Sequence, residues 1–124
     1  MTDTRKVVEA FWACANSRDW DGFGALLADD VLYEIPQTRE RVRGREAYVR
    51  FNAAYPEGWS VTIERLVADG DQAVTWINFI VDGDGQPGLT FFQLDETGKI
   101  ARITDFWPEP YPPPPGREHL VERY

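Results

Sequence analysis

Histidine, cysteine and serine are scarce in this chain: one histidine (His119), one cysteine (Cys14) and two serines (Ser17 and Ser60) in 124 residues. A lone cysteine allows no intramolecular disulfide and no cysteine-based zinc site. A lone histidine near the C-terminus leaves no material for a histidine metal site or a Ser-His-Asp triad. Excess positive charge is missing too. The formal net charge is −8, the opposite of the basic footprint that nucleic acid or an anionic membrane surface requires. No apolar run reaches the roughly 18 residues of a membrane span, and the polar residues after Met1 do not read as a secretory leader. The expectation is a cytoplasmic protein with no metal, no cofactor, and no nucleic-acid or membrane partner.

Two apparent motifs fail on their context. Gly83-Asp84-Gly85-Gln86-Pro87-Gly88 has the spacing of a dinucleotide loop, but that loop works by presenting pyrophosphate to a helix N-terminus. Leu89-Thr90-Phe91-Phe92 follows instead, which reads as a strand, so the glycines are assigned to a hairpin turn over Asp82 to Gly88. A calcium loop starting at Asp82 fails because Gln93 stands where a glutamate is needed. Arg39, Arg41, Arg43 and Arg45 form the one local basic cluster. It reads as a solvated loop, with a basic rim that attracts an anionic small molecule as the alternative.

What the chain does have is aromatic and aliphatic side chains in regular patterns. Hydrophobic residues make up 43%, enough for one globular domain. Asp3 or Thr4 caps a first helix to about Ser17, with Val8, Phe11, Trp12 and Ala15 on one stripe. Asp19 caps a short second helix carrying Trp20, Phe23, Leu26 and Leu27. Val31 to Ile35 alternates as a strand closed by Pro36. Gly44 opens a third helix with Ala47, Tyr48, Phe51, Ala54 and Tyr55 in register, ended by Pro56. The period then changes to two. Strands are expected over Trp59 to Ala68, Ala73 to Val81, Leu89 to Leu94 and Lys99 to Trp107, separated by Asp- and Gly-rich turns. Helices first and an antiparallel meander afterwards is an α+β arrangement. The domain is placed at residues 1–108, and residues 109–124 form a proline-rich tail.

The last strand carries the most informative acid. Alternation puts Ile103, Asp105 and Trp107 on one face and Ile100, Arg102, Thr104 and Phe106 on the other. A carboxylate between Ile103 and Trp107 is either at a hydrated edge or inside a pocket. Inside one, desolvation should raise its pKa, with Arg102 pointing away. Glu34 has the parity of the opposite face. Asn78, the one amide of its strand, points outward with Trp76 and Ile80, while Ile77, Phe79 and Val81 point inward. The remaining chemistry is that of carboxylate, tyrosine and asparagine in aromatic surroundings, suited to proton transfer on a small apolar molecule.

Asn16-Ser17-Arg18-Asp19-Trp20-Asp21-Gly22, then Leu26-Leu27-Ala28-Asp29-Asp30-Val31, with the element order and the glycines before helix 3 and the last strand, resembles the nuclear transport factor 2-like superfamily. That superfamily includes ketosteroid isomerases, SnoaL-like polyketide cyclases and limonene epoxide hydrolases. The resemblance covers residues 3 to about 108. It implies a cone: a curved antiparallel sheet wrapped around three N-terminal helices, enclosing an apolar pocket, often in a homodimer. Carried over position by position, the isomerase base falls at Ile35, its tyrosine donor at Phe11 and its protonated aspartate at Thr90. None of these can do the isomerase's work. The same matching turns Phe11, Tyr33, Ile35, Thr90, Phe92, Ile103, Asp105 and Trp107 into the cone. With Trp12, Phe51, Tyr55 and Phe79 these form the expected binding set for a small apolar molecule, and Asp105 is the catalytic candidate. The implied activity is a cofactor-independent cyclase, isomerase or hydrolase; the alternative is a non-catalytic ligand-binding or dimerising module.

A homodimer is expected from the sheet itself. The second and third strands of the meander, Ala73 to Val81 and Leu89 to Leu94, are apolar on both faces, and three helices cover only one. Trp76 and Phe91 would otherwise lie in an exposed apolar patch.

Overall fold

A computed structural model describes residues 3–124. Helix α1 (Thr4–Ser17) starts where the Asp3 carboxylate accepts from the Lys6 amide, and stops at Arg18 in the left-handed region. Val8, Phe11 and Ala15 are its buried stripe. Asp19 caps α2 (Trp20–Ala25) by accepting from the Gly22 amide. Helix α3 (Arg45–Ala53) opens at Gly44, whose φ of 93° favours glycine.

The sheet has six strands in the order β2-β1-β6-β5-β4-β3. They are β1 (Leu27–Ile35), β2 (Glu40–Arg43), β3 (Trp59–Asp69), β4 (Gln72–Val81), β5 (Asp84–Leu94) and β6 (Ile100–Phe106). Four of the five pairings are antiparallel; β1 runs parallel to β6. The sheet is curved, unclosed and mixed, and the helices fill its concave side. Register shifts in β1, at β3 between Ile63 and Arg65, and between β5 and β6 at Gln93/Leu94 are the local irregularities that let a sheet bend.

Four expectations need correcting. The first strand begins at Leu27, not Val31. The arginine cluster is not all loop: Glu40–Arg43 is an edge strand, where Arg41 lies opposite Glu34 and the two side chains pair. An edge open to water accommodates such charged residues. The glycine-rich stretch is mostly strand. Only Asp82 and Gly83 turn, both at positive φ, while Asp84 already pairs with Val81, the geometry of a two-residue Asp-Gly hairpin. Finally, Ile100 is fully buried rather than facing outward with Arg102. Gln93 pairs with Arg102 but Leu94 with Ile100, so the irregularity at Ala101 reverses the parity of the strand's start.

Polar side chains of α1 and its end cover the exposed edge of β3. Asn16 accepts from the Val61 amide at 2.7 Å and donates to the Val61 carbonyl at 2.8 Å, as a neighbouring strand would. Arg5 bonds the Leu66 carbonyl and Arg18 the Trp59 carbonyl. Beyond β6, residues 107–124 form neither helix nor strand.

Candidate active site

A cavity of about 260 Å³ lies between the helices and the concave face of the sheet. Ten of its fifteen wall residues are aromatic, and Asp105 is the only charged one. The topology explains how the acid gets there. In β6, alternate residues Ile103 and Asp105 face the helices and are buried. Thr90 of β5 lies directly opposite Asp105. Tyr33 of β1 lies opposite Ile103, one same-face step away. Tyr33 Oη donates a hydrogen bond to one carboxylate oxygen of Asp105, and Thr90 Oγ1 donates to the other at 2.6 Å.

Asp105 is 6% exposed. Burial pushes its pKa up to about 6 from 3.8, against the opposing pull of the Thr90 and Tyr33 hydrogen bonds. The Tyr33 phenol is pushed far up, first by burial and then by the Asp105 charge. The same two causes raise the Tyr48 phenol. At pH 7 the site therefore holds a carboxylate ionised by roughly ten to one, with protonated phenols around it. Expected from the sequence, this inward, desolvated acid with Arg102 exposed on the other face is what the structure has.

Trp107 closes one side of the cavity just beyond β6. The Gln37 side chain holds it by accepting from its amide and donating to its carbonyl, the latter at 3.1 Å. Its ring lies over Gly88, where a Cβ would come 2.7 Å from Cζ3. Phe79 meets Trp107 edge-on and stacks with Trp59, 5.5 Å between ring centres.

Of the expected binding set, Phe11, Trp12, Tyr33, Ile35, Phe51, Tyr55, Phe79 and Trp107 are on the cavity wall with Asp105. Tyr55 stands at the mouth, 51% exposed. Thr90, Phe92 and Ile103 are corrected: they face inward and are buried but sit behind the wall. Thr90 reaches the site only through Asp105. Phe92 packs on Phe11, 5.0 Å between ring centres. Missed altogether were Ala15, Phe23, Tyr48, Asn52, Trp59 and Gln86. Tyr48 and Asn52 are one helical turn apart, a spacing that puts them on one face of α3. Gln86 was hidden by reading its segment as a turn. Asn78 faces outward as its parity implies, against Gly85.

Among the described residues, no three His, Cys, Asp or Glu side chains gather as a metal site, and no helix is long and apolar enough to cross a membrane.

Comparison with known proteins gives the setting. A crystal structure from Kribbella flavida DSM 17836, provisionally named a ketosteroid isomerase, is 48% identical, with a TM-score of 0.94 over 98% of this chain and 89% of that one. An epoxide hydrolase from Mycobacterium tuberculosis, of the LEH-like type, is 26% identical over 85% of this chain and 82% of that one, TM-score 0.73. A protein from Shewanella denitrificans OS-217, provisionally named a SnoaL-like polyketide cyclase, shares the fold at 15% identity, TM-score 0.76, over 85% and 90% of the two chains. No curated protein matches the sequence. The family model described as "SnoaL-like domain" matches residues 8–103, from the first buried apolar residue of α1 to the strand that carries Asp105, and the chain belongs to that family.

Proposed function

We propose that this protein is a cofactor-independent acid/base enzyme acting on a small, largely apolar molecule, with Asp105 as the proton-transferring group. The observation that carries this is the state of Asp105: an ionisable carboxylate on the wall of an aromatic cavity, held by two neutral donors and pushed toward neutral pH by burial. A base is most useful when its pKa lies near the working pH. Asp105 would take a proton from an acidic C–H or O–H of the substrate and return it to another atom. The net change is then an isomerisation, or a ring closure or opening driven by the same transfer. Tyr33 orients the carboxylate, and Tyr48 supplies a protonated donor on the same wall. At about 260 Å³ the cavity is near the small end of the roughly 300–1,000 Å³ usual for ligand pockets, which favours a one- or two-ring compound. The relatives named isomerase, hydrolase and cyclase fit this class without selecting a member of it. The isomerase positions here are Phe11, Ile35 and Thr90, so any steroid isomerisation would have to run on Asp105 instead.

The test uses 5-nitrobenzisoxazole, a small aromatic compound whose ring opens when a base removes one proton. The wild-type rate should rise with pH through about 6, and Asp105→Asn should lose about 10²–10⁴-fold. A rate equal in the two proteins would sink the enzyme reading and leave the ligand-binding module.

We also propose a homodimer through the convex face of the sheet. Trp76 and Phe91 are each 46% exposed there, and the tail leaves them so while its own Tyr111 is 83% exposed. A two-fold partner buries such a patch with one self-complementary surface. Sedimentation equilibrium at micromolar concentration should give a dimer, and Trp76→Glu should dissociate or precipitate it. A wild-type monomer throughout would contradict this.

A further inference from the structure

We infer that the cavity takes a small organic cation — a ring compound carrying a protonated or quaternary nitrogen — seated on the aromatic wall with the Asp105 carboxylate as its counter-charge. This deepens the reading above: it rests on the cavity being the ligand site, but not on turnover there.

Charge is the first argument. Among the described residues, the wall bears one carboxylate and no lysine, arginine or histidine. Tyr33 from β1 and Thr90 from β5 hydrogen-bond Asp105, and Phe11 and Trp12 from α1, Tyr48 from α3 and Tyr55 from the turn after it share the cavity wall with it. None is a cation. A buried carboxylate normally has a positive partner; here its two partners are neutral hydroxyls. The missing counter-charge is what a cationic ligand brings.

Hydrogen-bond capacity is the second. A carboxylate has about four acceptor sites, and Tyr33 and Thr90 use two. The Asn52 amide nitrogen already donates to the Tyr48 main-chain oxygen at 2.9 Å. The Tyr48 hydroxyl and the Gln86 amide are neutral donors on the wall; what is left unmatched is the remaining carboxylate lone pairs, beside ring faces that carry the negative part of the aromatic quadrupole. Stacked rings such as Trp59 and Phe79, with Phe51, Tyr55 and Trp107 around them, are the surroundings that hold ammonium groups elsewhere. Trp59 already takes the Arg18 guanidinium, 3.7 Å from its ring centre, and Arg18 is not on the wall. The net charge of −8 draws small cations toward the molecule.

A cation and a neutral carbonyl compound have opposite effects on Asp105. The cation binds better when Asp105 is ionised, so its binding near pH 6 releases protons. A carbonyl that accepts a hydrogen bond from protonated Asp105 takes protons up.

The probes are benzyltrimethylammonium and its uncharged carbon isostere, neopentylbenzene, followed by tryptophan fluorescence and by calorimetry in two buffers of different ionisation enthalpy. At pH 8 the wild type should bind the cation at least about tenfold more tightly than the isostere. That preference should shrink several-fold by pH 5, and cation binding at pH 6 should release protons. Asp105→Asn should lose most of the preference while keeping its affinity for the isostere. Equal binding of the two probes, a preference that ignores pH, or proton uptake would overturn the inference. The wild-type pH series decides even if Asp105→Asn does not fold. The enzyme reading stands or falls separately: 5-nitrobenzisoxazole is neutral, so turnover without cation preference removes only this inference, and cation preference without turnover removes only the other.

Discussion

Glu34 of β1 lies opposite Thr104 of β6, the residue before Asp105. The two acids are thus near neighbours in one sheet, on opposite faces. Glu34 points to the convex side, where Arg41 across the β1–β2 ladder pairs with it and holds its carboxyl below the usual range. Asp105 points to the concave side, finds only hydroxyls, and is held above that range by burial. Composition does not distinguish them. One step of strand parity decides which acid is solvated and paired and which is poised for chemistry.

The largest effect that separates them should be on stability against pH. The folded-state pKa of Asp105 lies above its unfolded value, so the folded chain holds this proton harder. That contribution is complete below about pH 4, where it amounts to about 3 kcal/mol, and is lost as the pH rises through about 6. Urea unfolding of wild type and Asp105→Asn across this range should therefore diverge, with the variant lacking the decline. If the two curves stay parallel, Asp105 has no special standing.

A smaller effect comes from disturbing the wall beside the acid. Gly88→Ala places a methyl against Trp107 and within 3.2 Å of Ile77 Cγ1. Overpacking of this kind costs about 1–3 kcal/mol. The displaced Trp107 ring should let water nearer Asp105 and lower its pKa toward the ordinary value, visible as an acid shift in the probe's pH–rate profile. An unchanged melting temperature and profile would mean that the ring moves aside freely.

The smallest effect belongs to Glu34→Gln. An exposed ion pair adds little to stability. The variant should unfold at close to the wild-type urea midpoint and leave the rate profile where it was. A loss comparable to that at Asp105 would erase the distinction between the two faces.

Much of this was legible in the sequence because it rests on local rules. Capping acids at Asp3 and Asp19 and the Val8-Phe11-Ala15 spacing mark the helices. Period-two alternation marks the strands and turns Asp105 inward. Depth was not legible. Alternation says which face Thr90, Phe92 and Ile103 share with Asp105, but not that all three sit behind the cavity wall. Bulges were not legible either: nothing in Ile100-Ala101-Arg102 announces the irregularity that buries Ile100. Gln86 was lost because Gly-Asp-Gly-Gln-Pro-Gly has the composition of a turn, while its pairing to β4 is a tertiary fact. Tyr48 stood in the α3 stripe all along; what the sequence withheld is that its neighbour across the fold is an acid.

The claim on which the rest depends is that Asp105 is a desolvated carboxylate without a cationic partner. Carbon-13 NMR titration of its side-chain carboxyl, assigned by comparison with Asp105→Asn, tests this without any substrate. The expected midpoint is about 6. A midpoint at or below the ordinary aspartate value of about 3.9 would contradict it.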